Sequence, residues 1–272
     1  MSASPHAHEP AANPASHTPD VGHPPRVALV TGASAGIGAA TVRALRAAGW
    51  DVLAVARREV RLQALAEETG CAWVAGDVSV DADVDSIARA AKANNVDTLI
   101  NIAGGARGNQ RIAEAGTEDW EWMLAANVMG TMKLTRALLP QLRAAEAGGT
   151  VLNLTSTAAL TSYEGGGGYN AAKAAQHAMT QALRLEEAEH DVRVIEVLPG
   201  LVKSDEFALR RLGSQEAADA VYAGVEKPLS SEDVAEVVRY AVSLPHHVNL
   251  DEIVVRPVAQ AANHKLIRTQ AE

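Results

Sequence analysis

The sequence predicts an α/β fold, a single open, doubly wound parallel sheet of about seven strands with helices on both faces. Three observations predict it. Short apolar runs alternate with longer amphipathic segments, a pattern that implies right-handed crossovers between parallel strands. The short runs are apolar at most positions, as strands covered on both faces must be. A glycine-rich turn joins the first strand to the first helix, which puts a ligand crevice at the carboxyl ends of the strands. A closed barrel would need eight such units over about 250 residues, and only some six are visible.

The elements follow in order. The first strand, 27–30, reads Val-Ala-Leu-Val, and Gly49 stops the amphipathic run 37–48 behind it. A second apolar run, 52–56, precedes a helix over 60–68 that ends at Gly70. Glycine just past a helix suits the left-handed backbone of a helix end. A strand over 72–74 and a helix over 83–93 complete the first half. The second half opens with a strand over 98–102 and a long Ala-rich helix over 118–145. A fifth strand, 151–154, is followed by a second long helix, 170–189, and by the sixth strand, 192–198. Ser231 before Glu232 and Asp233 marks the start of a helix over 232–243, and the last strand covers 253–255. Residues 200–228 show no such pattern and are read as a substrate loop.

Composition removes several functions. The 272 residues carry 24 Lys and Arg against 33 Asp and Glu, a net charge of −9 with no basic run, so no nucleic-acid partner is expected. Hydrophobic residues at 47% exclude a disordered chain, and aromatics at 3% leave Ala, Val and Leu to fill the interior. The single Cys71 allows no internal disulfide and no zinc cluster, so no metal is expected and a reducing cytoplasm is. No run of 18 apolar residues offers a membrane span. Residues 1–25 mix Pro, Ala, Ser and His without period and are read as a disordered tail. Its His6, His8, His17 and His23 lack ligand spacing, and it has no charged-then-apolar order of a secretory signal. Residues 26–272 are read as one domain.

The turn Thr31-Gly32-Ala33-Ser34-Ala35-Gly36-Ile37-Gly38 opens the first helix. Glycines at this spacing let backbone N–H groups approach a pyrophosphate at the helix N-terminus, with a plain βα turn as the competing reading. Arg57 and Arg58 end the second strand where an NAD site usually places an acid. Guanidinium groups there suit a 2′-phosphate, and hence NADP(H); the alternative is two arginines opening a solvated helix. Asp77 ends the third strand, either to accept from an adenine amino group or to cap the next helix.

Tyr169 and Lys173 stand four apart on one helix face. An ammonium beside a phenol favours the phenolate and lowers its pKa from about 10. Ser156, thirteen residues before Tyr169, ends the fifth strand and reaches the same crevice.

With these motifs the chain resembles the short-chain dehydrogenase/reductase family over residues 26–260. The resemblance rests on Thr31-Gly32-x-x-x-Gly36-x-Gly38, Asp77, Asn101-Ile102-Ala103-Gly104, Asn127, Ser156, Tyr169-x-x-x-Lys173 and Pro199-Gly200-Leu201-Val202. It implies a Rossmann-type sheet. It also implies that Tyr169 is the general acid/base, that Lys173 binds the nicotinamide ribose and that Ser156 binds the substrate oxygen. Asn127 would hold a relay water. Ser34, Ile37 and Val78 would join the cofactor side with Asn101, Ala103 and Gly104. Pro199, Gly200 and Val202 would line the nicotinamide, with Ser204 in place of the family's Thr. Ile102 departs from the family's second Asn.

The segments 199–207, 229–236 and 247–260 look like those of the NADP-dependent 3-hydroxy acid and serine dehydrogenases. A small 3-hydroxy acid or its semialdehyde is therefore the expected substrate, and a broad NADPH carbonyl reductase is the alternative. A nucleotide sensor without turnover would be free to lose Asn127, Ser156, Tyr169 and Lys173, all of which are present. A hydroxy-acid site needs a cation; Lys203, Arg210, Arg211 and Arg107 are candidates, against a reading as solvated loop charges. Tyr163 and Gly165 to Gly168 are either a pocket rim or a loop needing positive φ angles. His177 is read as a packing or interface residue. Family members usually pair through helices matching 118–145 and 170–189, so a homodimer or homotetramer is expected.

Overall fold

The structure, a computed structural model, describes residues 26–204 and 206–269; the tail expected over 1–25 lies outside them. Seven strands form the sheet: β1 (Val27–Thr31), β2 (Asp51–Ala56), β3 (Ala72–Ala75), β4 (Thr98–Asn101), β5 (Gly149–Leu154), β6 (Val192–Pro199) and β7 (Glu252–Val255). They run in the order β3-β2-β1-β4-β5-β6-β7 and every pairing is parallel. Strand order reverses between β1 and β4, and the crevice above such a switch point is where an open α/β sheet takes its ligand.

Nine helices accompany the sheet among the described residues: α1 (Gly36–Ala47), α2 (Glu59–Thr69), α3 (Asp81–Ala93), α4 (Thr117–Leu124), α5 (Gly130–Arg143), α6 (Gly167–Glu187), α7 (Phe207–Leu212), α8 (Gln215–Tyr222) and α9 (Ser231–Ser243). Alternate side chains of one strand enter opposite layers. Ala28 and Val30 of β1 pack with Val42 and Leu45 of α1 and with Val234 and Val238 of α9. Leu29 between them packs with Ile87 of α3, Leu134 and Leu138 of α5, and Leu183 of α6. Two-sided burial is why the strands read as unbroken apolar runs. Each fully buried Leu or Ile contributes about 1.5–3 kcal/mol, so small aliphatic side chains suffice without aromatics.

The structure departs from the expected elements at four places. The segment expected as one helix over 118–145 is interrupted by a π-helical turn, Ala125–Met129, between α4 and α5. Buried Asn127 sits in that turn, and its amide donates to the Met123 carbonyl (2.7 Å). The helix expected from residue 170 begins at Gly167. The helix expected to start after Ser231 is capped one residue earlier. Ser230 Oγ accepts from the Asp233 N–H (3.1 Å), while the Asp233 carboxylate accepts from the Ser230 N–H (2.8 Å). Finally, the loop 200–228 contains α7 and α8, and a C-terminal hairpin, β8 (Gln260–Ala262) and β9 (Lys265–Leu266), was not expected. Both lean over the crevice: Gln260 Oε1 accepts from the Leu201 N–H (2.7 Å), and the Asn263 amide donates to the Thr157 carbonyl (2.9 Å). Among the described residues no helix is long and apolar enough to cross a membrane.

Candidate active site

A cleft of about 1120 Å³ opens at the carboxyl ends of the central strands. At one end the turn after β1 is tied to β4, because Thr31 Oγ1 accepts from the N–H groups of Ile102 (2.9 Å) and Ala103 (3.0 Å). That bond is made by the backbone of Ile102, so the departure from the family's Asn leaves it intact. Ala35 precedes α1 in extended conformation with no side-chain cap, so the first helical N–H groups are left for an anion. Gly36 lines the cleft at φ 51°, a left-handed backbone that glycine adopts freely. A Cβ on Gly38 would stand 2.3 Å from the carbonyl oxygen of Gly32. That oxygen belongs to the backbone, so it cannot yield cheaply. Gly38→Ala is expected to lower stability by about 1–3 kcal/mol and to abolish nucleotide binding, read by thermal unfolding and calorimetric titration. An Ala variant with the wild-type melting temperature and affinity would refute this account of the turn. Uncapped donors, a left-handed glycine and a close turn together fit a dinucleotide pyrophosphate.

The arginines lie beside this turn. Arg57 faces Asp77 at 3.5 Å, and Arg58 donates to Ser34 Oγ (2.9 Å) and to both carboxylate oxygens of Glu206 (2.8 and 3.0 Å). Burial pushes the Asp77 carboxyl up, but bonds from the Ser79 N–H (2.9 Å) and hydroxyl (2.7 Å), with the Arg57 charge, hold it below its ordinary value. Asp77 thus lines the cleft and bonds Ser79 ahead of α3; it does not cap that helix, whose N-cap Val80 has no side-chain cap. Val78, buried beside it, lines the same wall.

At the other end α6 turns Tyr169 and Lys173 toward the cleft, both buried. Ser156, at the end of β5, accepts from the Ala158 N–H (3.1 Å), and its hydroxyl donates to the Pro199 carbonyl (3.4 Å). Lys173 Nζ is 5.9 Å from the centroid of the Tyr169 ring and donates to the Leu154 carbonyl (3.1 Å) and to Gln176 Oε1 (2.8 Å). The expectation that Lys173 lowers the phenol pKa is therefore not met by these side chains. Burial pushes the Tyr169 phenol above its ordinary value, with Tyr163 adding to the rise; Ser156 and the Arg211 charge oppose it. Burial likewise pulls the Lys173 ammonium down to about 7, against the charge of Glu196. Glu196 is fully buried behind the site, where it accepts from Thr155 Oγ1 (2.5 Å) and meets His177 Nδ1 at 2.8 Å. His177 thus partners a buried acid.

Of the residues expected here, Gly32, Ser34, Gly36, Ile37, Gly38, Arg57, Arg58, Asp77, Val78, Ala103, Gly104, Ser156, Tyr169, Lys173, Pro199, Gly200, Val202 and Ser204 line one cleft. Two do not. The buried Asn101 side chain lies within the sheet, donating to Asn153 Oδ1 (2.9 Å) and Thr135 Oγ1 (3.2 Å). Asn127 clasps Gly105, accepting from its N–H (3.0 Å) and donating to its carbonyl (2.9 Å). Its side chain shapes the cleft wall from behind.

The cleft also gathers residues without a sequence motif. Phe207 meets the Tyr169 ring edge-on at 5.8 Å. The Arg211 guanidinium lies 5.9 Å from the same ring and donates to Tyr163 Oη (3.0 Å) and to the Gly108 (3.2 Å) and Gly165 (3.2 Å) carbonyls. Arg107 stacks on Trp122 at 4.2 Å. Among the described residues neither arginine has a carboxylate partner. Tyr163 is part of the rim, and of Gly165 to Gly168 only Gly165 has positive φ (70°). The candidate cations were visible in the sequence; that Arg211 would be the one beside Tyr169 was not.

Comparison with known proteins agrees with this geometry. The family description "short chain dehydrogenase" matches residues 26–214. An uncharacterized oxidoreductase of Mycobacterium tuberculosis is 49% identical over 243 residues, which are 89% of this chain and 95% of that protein. Sulfoacetaldehyde reductase 2 of Chromohalobacter salexigens is 36% identical, over 86% of this chain and 95% of its own. The closed form of a serine dehydrogenase complexed with NADP+ superposes with a TM-score of 0.83 at 34% identity, over 90% of this chain and 100% of that one.

Proposed function

Because the chain belongs to the short-chain dehydrogenase family, we propose that it transfers a hydride between NADP(H) and the hydroxyl or carbonyl of a small anion, a 3-hydroxy acid or its semialdehyde. The observation that carries the reading is Arg211, a guanidinium beside Tyr169 that has no carboxylate partner among the described residues. Two relatives are named for substrates with an acid group close to the reacting carbon, sulfoacetaldehyde and serine. Arg57 and Arg58 support NADP(H) over NAD(H), since guanidinium groups pair with a phosphate and repel no charge on it.

NADP(H), when bound, supplies or accepts the hydride. The protein handles the proton. Tyr169, held protonated by burial, is in the form that donates a proton to a carbonyl oxygen. Ser156 orients that oxygen and the phenol together. Lys173, reached through the same helix face, binds the nicotinamide ribose, while the charge of Arg211 favours the phenolate when the reaction runs as an oxidation. Asn127 acts from behind the wall, holding the Gly105 backbone and, through a water, the path of protons to Lys173. Residues 26–272 act as one domain, in the reducing cytoplasm that suits the lone thiol of Cys71. Exposed Leu124, Met129 and Leu185, on or beside α4, α5 and α6, suit the face of a homodimer or homotetramer.

A rate panel tests the reading. Serine, 3-hydroxyisobutyrate, 3-hydroxypropionate and 2-hydroxyethanesulfonate should be oxidised with NADP+ faster than their methyl esters or simple secondary alcohols. Leaving a committed cation unpaired costs about 1–3 kcal/mol, roughly a 5- to 150-fold preference for the acid. NAD+ should serve poorly. Faster turnover of esters or bulky ketones would overturn the acid reading in favour of a broad carbonyl reductase.

A further inference from the structure

The arginines at the cofactor end of the cleft are engaged by a carboxylate from the far side of it. Glu206, in the segment leading into α7, receives Arg58 Nη1 on both oxygens (2.8 and 3.0 Å), Arg210 at 2.8 Å, and Arg61 as well. The rest of the Arg58 fork is taken by Ser34, whose hydroxyl accepts from Nε (3.1 Å) and Nη2 (2.9 Å). Three guanidinium groups around one carboxylate leave a surplus of two positive charges, and a phosphate dianion in place of the carboxylate would neutralise one charge more. The Arg210 guanidinium is depressed by burial and by repulsion from Arg58, Arg57 and Arg61, with only Glu206 opposing. This is an anion site already holding an anion.

We propose that Glu206 stands in for the cofactor's 2′-phosphate on the Arg58–Arg61–Arg210 cluster, so that the phosphate displaces it and the loop that carries it shifts. The inference rests on the NADP(H) reading above. Its consequence is a link between the two ends of the cleft. Phe207 follows Glu206 directly, and Arg210 and Arg211 lie within the next helix, α7. Phe207 and Arg211 both face the Tyr169 ring, at 5.8 and 5.9 Å. A carboxylate released from Arg58 therefore moves the segment that shapes the substrate end. A cofactor without the 2′-phosphate has no anion at the ribose 2′ position with which to release it.

Two nucleotides that differ only in the 2′-phosphate isolate the effect: adenosine 2′,5′-bisphosphate and adenosine 5′-monophosphate. Calorimetric titration of the full chain and of Glu206→Gln is expected to show tighter binding of the bisphosphate to the variant, by about three- to tenfold. Binding of the monophosphate should stay within about twofold. In the wild-type protein, amide hydrogen exchange over 206–213 should respond to the bisphosphate and not to the monophosphate, a measurement independent of the variant's folding. If the wild type prefers the bisphosphate but Glu206→Gln leaves that preference unchanged or weaker, this inference fails and the NADP(H) reading stands. If neither protein prefers the bisphosphate, both fail. Equal exchange responses to the two nucleotides overturn the link to the loop.

Discussion

Tyr169→Phe is expected to lower kcat by about 10²–10⁴-fold with every good substrate, the usual range for removing a general acid/base. The ring is buried and packs against Phe207, and Phe keeps that packing. Only the hydroxyl is lost, a stability change of about 1 kcal/mol. Nucleotide affinity should stay near wild type. The pH profile adds a second signature. Because burial raises the Tyr169 phenol, oxidation needs a phenolate that forms more readily as pH rises, whereas reduction uses the protonated form already present. In the wild type the oxidative rate should climb toward alkaline pH while the reductive rate falls. The Phe variant should lose both limbs. Near wild-type kcat in that variant would remove Tyr169 from the chemistry.

The second large effect is expected at Arg211. Arg211→Met should reduce kcat/KM for an anionic substrate by about 30- to 1000-fold, since removing one partner of a buried charge pair costs about 2–4 kcal/mol. The same change should leave the methyl ester within a few-fold. Arg211 also donates to the Gly108 and Gly165 carbonyls, so the melting temperature should fall as well. The acid-to-ester ratio separates the two roles, because a loss of scaffold lowers both rates together. Arg211→Lys keeps the charge without the fork and should recover part of the acid rate. An unchanged acid-to-ester ratio in Arg211→Met would rule out Arg211 as the substrate cation and leave Arg107 as the next candidate.

How much of this was legible in the chain follows from the range of each signal. The strand and helix order was legible because apolar period is a property of five to fifteen neighbouring residues. The turn 31–38 and the pair Tyr169 and Lys173 were legible for the same reason, since each motif is a spacing within one turn or one helix face. The π-helical turn at Ala125–Met129 was not, because it depends on Asn127 clasping Gly105, 22 residues away. The displacement of Asn101 from the cleft was also hidden: a residue at a strand end points into the sheet or out of it according to pleat and neighbours, here Thr135 and Asn153.

The sequence by itself therefore determined the doubly wound sheet, the glycine-rich turn after β1, the arginines that follow β2 and the Ser156–Tyr169–Lys173 set. Tertiary structure alone decided which charges meet. Arg58 finds Glu206 across 148 residues of chain, and Arg211 finds Tyr163 across 48. Nothing in the local pattern around an arginine says whether its fork will face solvent, a carbonyl, an acid or a substrate. Tertiary structure decided the protonation of the site as well. The spacing of Tyr169 and Lys173 is local and argues for a lowered phenol pKa. Burial, which belongs to the whole fold, raises the phenol and draws the ammonium down to about 7. Charge separation is governed by the surrounding medium, and the medium exists only once the chain has closed around it.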